Sequence, residues 1–233
     1  MRKAGDAPLA AFDLDGTLLD SAGSIVERVI ACWEACGFPP PDPVAARRII
    51  GLPWKESVLT LLPDAGPREF AQIRAFYDDV REGRRAAPPV SEALFEGARG
   101  TLEYLRDRGF SLAIVTSRNS DRLAELLGEH GIGEFFFVCK TADQGPAKPD
   151  PYLLRAAMAE VGARAADTVM IGDTTFDIEM AVNAGTGAVG VSWGVHEVEE
   201  LQTAGAHRIV QDFGEVRSAA VAMTEEGPDR RTS

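Results

Sequence analysis

The sequence predicts an α/β fold: a Rossmann-like parallel sheet core with helices on both faces, plus an inserted all-helical cap domain. Three observations predict it. From about residue 98 onward, short apolar strands alternate with helical patterns, the sign of a parallel sheet covered on both sides. Between about residues 21 and 88 the periodicity is helical and no convincing strand pattern occurs. Asp13, Thr116 and Asp173 each follow an apolar strand directly, and open parallel sheets bind their ligands beyond the carboxyl ends of the strands.

The elements follow in order. Leu9-Ala10-Ala11-Phe12 is an apolar strand that runs into Asp13. After Ser21, Ile25, Val26, Val29, Ile30 and Trp33 recur at helical steps until Gly37-Phe38-Pro39-Pro40-Pro41 ends the run. Helical pieces over 44–50, 54–62 and 67–81 are separated by Gly51, Pro53 and Pro63-Asp64-Ala65-Gly66, and Ala86-Ala87-Pro88-Pro89 closes the block. A helix over 98–108 ends at Gly109, followed by the strand Ser111–Val115 and a helix over 120–129. A strand is expected at 135–138, a helix at 151–161, a strand at 168–171, a helix at 176–183 and a strand at 188–191. The expected division is 1–20 and 89–233 for the core and 21–88 for the helical cap. From Thr224 the tail is polar and expected to fray.

Composition narrows the function. The 233 residues are 45% hydrophobic and 26% charged, ordinary for a soluble domain. A formal charge of −12 argues against nonspecific nucleic-acid binding, which needs a basic face. No segment is long enough to span a membrane, and the N-terminal apolar run is too short for a signal peptide. Cys32, Cys36 and Cys139 make no disulfide framework, and a cytoplasmic setting is the expectation. Cys32 and Cys36, four apart on a helix, read as small packed hydrophobes. His130, His196 and His207 read as solvated. Trp193 and Gly194, past a strand end, read either as a packing and turn pair or as the border of a site.

The chemistry concentrates at strand ends. Strand residues two apart share a face, so Asp13 and Asp15 can reach one centre where the first strand ends. Buried carboxylates are costly without a compensating cation. Asp173 and Asp177 lie one helical turn apart. Taken singly, Thr116 and Ser117 read as helix caps and Lys148 as a surface lysine; their company changes that reading.

Asp13-Leu14-Asp15-Gly16-Thr17, Val115-Thr116-Ser117, Lys148-Pro149 and Gly172-Asp173-Thr174-Thr175-Phe176-Asp177 together resemble the four ordered motifs of the haloacid dehalogenase superfamily. Met180-Ala181-Val182-Asn183-Ala184-Gly185 and Gly190-Val191-Ser192-Trp193-Gly194 are similar to its phosphoglycolate phosphatase-like branch, which carries a helical cap after the first motif. The resemblance implies that Asp13 is the nucleophile and Asp15 the general acid and base, a role that needs Asp15 protonated at one stage. Crowding of carboxylates is one way to favour that state. It implies Mg²⁺ held by Asp13, the backbone carbonyl of Asp15 and Asp173. Thr116, the backbone N–H of Ser117 and Lys148 would bind the phosphoryl group, with Asp177 in support.

The cap loop Gly51-Leu52-Pro53-Trp54-Lys55-Glu56-Ser57 resembles a specificity loop, with Trp54 as an apolar wall and Lys55 as a contact for an anionic substrate. The implied activity is that of a phosphomonoesterase on a small phosphorylated metabolite, acting as a monomer or homodimer. Phosphoglycolate is the first substrate expected, with sugar and nucleotide phosphates open. Asp15 speaks against a dehalogenase and against a phosphonatase, for which Lys55 is the only cap lysine. A sugar-phosphate mutase of the β-phosphoglucomutase kind shares the motifs and stays open, as does, less favoured, a non-catalytic phosphate-binding module.

Overall fold

The computed structural model describes residues 7–89 and 92–225. The chain enters through β1 (Leu9–Phe12) and passes a two-residue strand, β2 (Leu19–Asp20), into four helices: α1 (Ala22–Ala35), α2 (Pro43–Arg48), α3 (Trp54–Leu61) and α4 (Pro67–Arg81). It returns through β3 (Ala93–Leu94), which pairs antiparallel with β2. The rest alternates: α5 (Ala98–Asp107), β4 (Ser111–Val115), α6 (Ser120–Glu129), β5 (Val138–Lys140), α7 (Tyr152–Val161), β6 (Thr168–Gly172), α8 (Thr175–Ala184), β7 (Gly187–Val191), α9 (Val198–Thr203), β8 (Arg208–Val210) and α10 (Phe213–Glu225). Beyond Glu225, the fraying tail lies outside the described residues.

Among the described residues, six strands form one parallel sheet in the order β5-β4-β1-β6-β7-β8. β1 lies inside it, which is why all four of its residues are apolar: a strand with helices on both faces has no wet side. Ala10 and Phe12 face one core with α5, α6 and α10, whereas Leu9 and Ala11 face a second core with α7, α8 and α9. That period-two division puts successive side chains on opposite faces. Helices α1–α4 bury a separate core of Val29, Cys32, Trp33, Ala46, Val58, Ile73 and Phe76, so Cys32 is indeed a packed apolar residue.

The structure corrects two readings. The strand expected at 135–138 begins instead at Val138; Gly133–Phe135 is a 3₁₀ turn and Phe137 is exposed. Phe135 is buried below the guanidinium groups of Arg106 and Arg99 (4.6 and 5.9 Å to the ring centroid), so its hydrophobicity serves a helix contact and not the ladder. The histidines are not solvated. His196 is buried and its Nδ1 accepts from the Thr175 N–H (3.0 Å), while half-buried His207 accepts from the Ala188 N–H through Nδ1 (3.0 Å). His130 is half-buried at the end of α6. Burial holds the His196 pKa below the usual histidine value, which keeps its ring available as an acceptor.

Candidate active site

The sheet register builds the site. Phe12 is level with Ile171, and the Asp13 N–H continues the ladder by donating to the Ile171 carbonyl at 2.9 Å. Asp13, just past β1, therefore lies beside Asp173, just past β6. Lys148 arrives from the loop before α7, where its Nζ donates to Asp13 Oδ1 (2.7 Å) and Asp177 Oδ1 (2.6 Å). Asp177 is fixed by the first turn of α8: the Thr174 hydroxyl and N–H both donate to its Oδ2, at 2.7 and 3.2 Å, in a capping box. Asp173 accepts from the Thr17 hydroxyl through Oδ1 and from the Val195 N–H through Oδ2, both at 2.8 Å.

Two glycines make room for Asp173. Gly16 has φ +78°, and a Cβ there would fall 2.2 Å from Asp173 Oδ2. At Gly194 a Cβ would lie 2.0 Å from the Asp173 Cβ. Neither position accepts a side chain without moving the carboxylate.

Asp13, Asp173 and Asp177 are all buried, and each offers an oxygen within 4.8 Å of the others. Against three carboxylates stands one ammonium, Lys148. Burial and the charges of Asp177 and Asp173 hold the Asp13 carboxyl well above the usual range, against the pull of Lys148. Burial and Asp177 push Asp173 up to about 7. Burial would lower Lys148, but the charges of Asp13 and Asp177 outweigh it and hold the amine above the usual lysine value. The cluster is short of positive charge and presents only oxygen donors, the chemistry that suits a hard divalent cation. The residues present fit such an ion.

Asp15 leaves this cluster. Its Oδ2 accepts from Arg118 Nε, and its Oδ1 from Arg118 Nη2 and the Ser21 hydroxyl, each at 2.6 Å. Arg118 in turn reaches Glu92 through Nη1 at 2.6 Å, and Glu92 also pairs with Arg122. Burial alone would raise the Asp15 pKa, but the Arg118 charge and these hydrogen bonds bring it below the usual carboxylate range. Carboxylate crowding therefore does not protonate Asp15 in this arrangement; a bidentate guanidinium keeps it ionised.

Thr116 is buried, and its Oγ1 accepts from the Arg118 N–H at 3.2 Å. The Ser117 hydroxyl is spent on the carbonyl of Gly51 (2.8 Å), which ties this loop to the helical block. Between block and core lies a cavity of about 860 Å³, with Asp15, Ser117 and Arg118 at its core side and Trp33, Trp54 and Tyr77 among its walls. Trp54 thus borders the cavity. Lys55 is exposed and does not line it.

Sequence reasoning passed over Arg118, Glu92, Thr17 and Ser21. The first stands directly after Thr116-Ser117 and Thr17 directly after Gly16, so adjacency to the motifs was the available signal. Glu92 carried none.

Residues 10–191 match the haloacid dehalogenase-like hydrolase family. The chain is 36% identical over 219 residues to the probable phosphatase IndB of Dickeya dadantii, covering 93% of this chain and 94% of that protein. It is 31% identical over 214 residues to the phosphoglycolate phosphatase of Vibrio cholerae, covering 88% and 93%. The crystal structure of a predicted phosphatase from Clostridium acetobutylicum superposes with a TM-score of 0.80 at 25% identity, covering 92% of this chain and 98% of that one. No helix among the described residues is long and apolar enough to cross a membrane. With its strand order, its strand-end carboxylates and these relatives, the chain belongs to the haloacid dehalogenase-like hydrolase family and is an enzyme of its phosphatase branch.

Proposed function

We propose that the chain is a magnesium-dependent phosphomonoesterase for a small phosphorylated metabolite, working through a phosphoryl group carried transiently on Asp13. The observation that carries this reading is the placement of Asp13 between Lys148 and Asp173, at the ends of two neighbouring strands. In it, residues 1–20 and 89–233 form the catalytic core and 21–88 a cap over it. Asp13, Asp173 and the backbone carbonyl of Asp15 would hold Mg²⁺, which when bound screens the charge that otherwise keeps a carboxylate from an anionic phosphate.

The chain's own residues then divide the work. Lys148 holds Asp13 by Oδ1 and lends its charge to the phosphoryl oxygens. An Asp13 oxygen attacks phosphorus; the Asp13 O–P bond forms as the ester P–O bond breaks. The departing oxygen takes a proton from Asp15, and the Thr116 hydroxyl donates to a phosphoryl oxygen. Asp15 next takes a proton from the water that attacks the acyl phosphate, releasing phosphate and restoring Asp13. Because Arg118 keeps Asp15 ionised, the guanidinium must turn away and Asp15 take up a proton from solvent before it can give one to the departing oxygen.

The test is phosphate release from a panel of phosphomonoesters with Mg²⁺ and with EDTA. Metal-dependent release from wild type, none from Asp13→Asn, and an unchanged circular dichroism spectrum of the variant are expected; residual turnover in Asp13→Asn removes that residue as nucleophile. Asp173→Ala is expected to raise the Mg²⁺ needed for half-maximal rate sharply. Isomerised sugar phosphate without net release would assign the same residues to a mutase.

A further inference from the structure

The cavity between helical block and core has room for more than a very small substrate. At about 860 Å³ it falls within the range of sites that enclose drug-sized molecules, far beyond what a two-carbon acid phosphate fills. Its chemistry is more informative than its size. Trp33, Trp54 and Tyr77 supply aromatic wall; Trp54 and Tyr77 meet edge to face at 5.7 Å and 83°. Trp33 is 3% exposed and its Nε1 is itself buried, so this ring gives the cavity apolar wall rather than a donor.

The charges in the wall are unequal. Arg81, Arg118 and Arg122 are matched by Asp78, by Asp15 and Glu92, and by Glu92 and Glu125. Arg28 and Arg74 also line the cavity and meet no carboxylate among the described residues. Arg28 gives its Nε to the Pro88 carbonyl (2.7 Å), and Arg74 lies 5.5 Å from the centre of the Trp54 ring. A cavity with aromatic walls and two guanidinium groups unmatched by carboxylates is complementary to a flat ring that carries acceptors.

We infer that the substrate is a phosphomonoester whose alcohol portion bears a flat heteroaromatic ring with carbonyl acceptors, lodged among Trp33, Trp54 and Tyr77 while the phosphate reaches Asp13. This rests on the phosphomonoesterase reading and narrows its substrate class. An alkyl chain would cover the apolar wall but offer the Arg28 and Arg74 guanidinium groups no acceptor. A bare sugar would match the donors and set its hydroxyls against aromatic faces. A carbonyl-bearing ring answers both: its faces pack on aromatic side chains and its oxygens accept from the guanidinium groups.

Uridine 5′-monophosphate and ribose 5-phosphate test this, since both present a phosphate on the same ribose carbon and only the first carries such a ring. The expected result with the Mg²⁺-loaded enzyme is a kcat/KM at least roughly tenfold higher for uridine 5′-monophosphate. Trp54→Ala and Arg74→Ala, both at accessible positions, should each reduce that ratio toward one. Calorimetric titration of both compounds into the Asp13→Asn protein gives the same comparison without turnover. Release from ribose 5-phosphate and phosphoglycolate with no preference for the ring-bearing ester overturns the inferred class and leaves the phosphatase reading standing. No metal-dependent release from any ester, with tighter binding of uridine 5′-monophosphate to Asp13→Asn, removes the phosphatase reading and retains the ring site. Equal binding of the two compounds by Asp13→Asn overturns the ring site.

Discussion

Asp13 and Asp15 are two residues apart, yet their partners differ in kind: an ammonium and a metal-fitting cluster for one, a guanidinium and a serine for the other. In the proposed mechanism that separation divides the work, since two carboxylates with opposed environments can act as nucleophile and as proton carrier. An acid is needed only where the leaving oxygen is basic. Asp15→Asn should therefore lower kcat/KM, which reports the first phosphoryl transfer, by about 10²–10⁴-fold on an alkyl phosphate and far less on 4-nitrophenyl phosphate; an equal loss of kcat/KM on both would mean that Asp15 does not protonate the leaving group. Gly194→Ala is the second test at this scale. Its Cβ would collide with the Asp173 Cβ and sit 2.5 Å from Oδ2, so the variant should need much more Mg²⁺, read from rate against metal concentration. Both aspartates were legible because neighbouring residues announce them, a strand before and Gly16-Thr17 after. The Arg118 pairing was not, because its partner is 103 residues away in sequence.

At the scale of elements, the strands matter chiefly as rulers. The pairing of Phe12 with Ile171 brings Asp13 and Asp173 side by side, and a slip of one residue would turn both carboxylates away from each other. The long apolar strands were legible from runs that allow no solvated face. β5 was misplaced because three successive phenylalanines look like a strand, although only contacts with Arg99 and Arg106 reveal that Phe135 belongs to a turn. β8 and α10 offered weak patterns, and they are held by tertiary bonds instead. Fully buried Thr101 on α5 donates to the Phe213 carbonyl at the start of α10 (3.1 Å) and accepts from Arg217 Nε (2.9 Å). Thr101→Val removes both bonds at nearly constant volume. It should cost about 1–3 kcal/mol, seen as a lower urea midpoint at unchanged slope.

For the whole molecule, what counts is how lightly the helical block rests on the core. Its polar ties include the Ser117 hydroxyl to the Gly51 carbonyl (2.8 Å), Arg47 Nη2 to the Gly194 carbonyl (2.5 Å) and an exposed Arg48–Glu200 ion pair. Such bonds contribute about 0.5–1.5 kcal/mol each, and exposed ion pairs about 0–1. Beside these ties lies a small apolar seat, where Ala22 and Ile50 of the block meet Val195 of the core. Arg47→Ala combined with Ser117→Ala should speed amide exchange over residues 50–57 and leave β1 unchanged; equal exchange at both would mean that the block is held by its apolar contacts alone.

The ribbon of β2 and β3 has one more meaning. Asp20 and Ala93 stand opposite each other across it, about 4.5–5.5 Å apart as antiparallel neighbours must be. The helical block leaves and re-enters the chain at nearly one point in space, so it is an interchangeable part. A two-residue hairpin turn such as Asn-Gly could join Asp20 to Ala93, sparing every strand of the parallel sheet. The shortened chain would keep Asp13, Lys148 and Asp173 but lose the cavity walls that Trp33, Trp54 and Tyr77 supply, leaving its carboxylates open to any phosphate that reaches them.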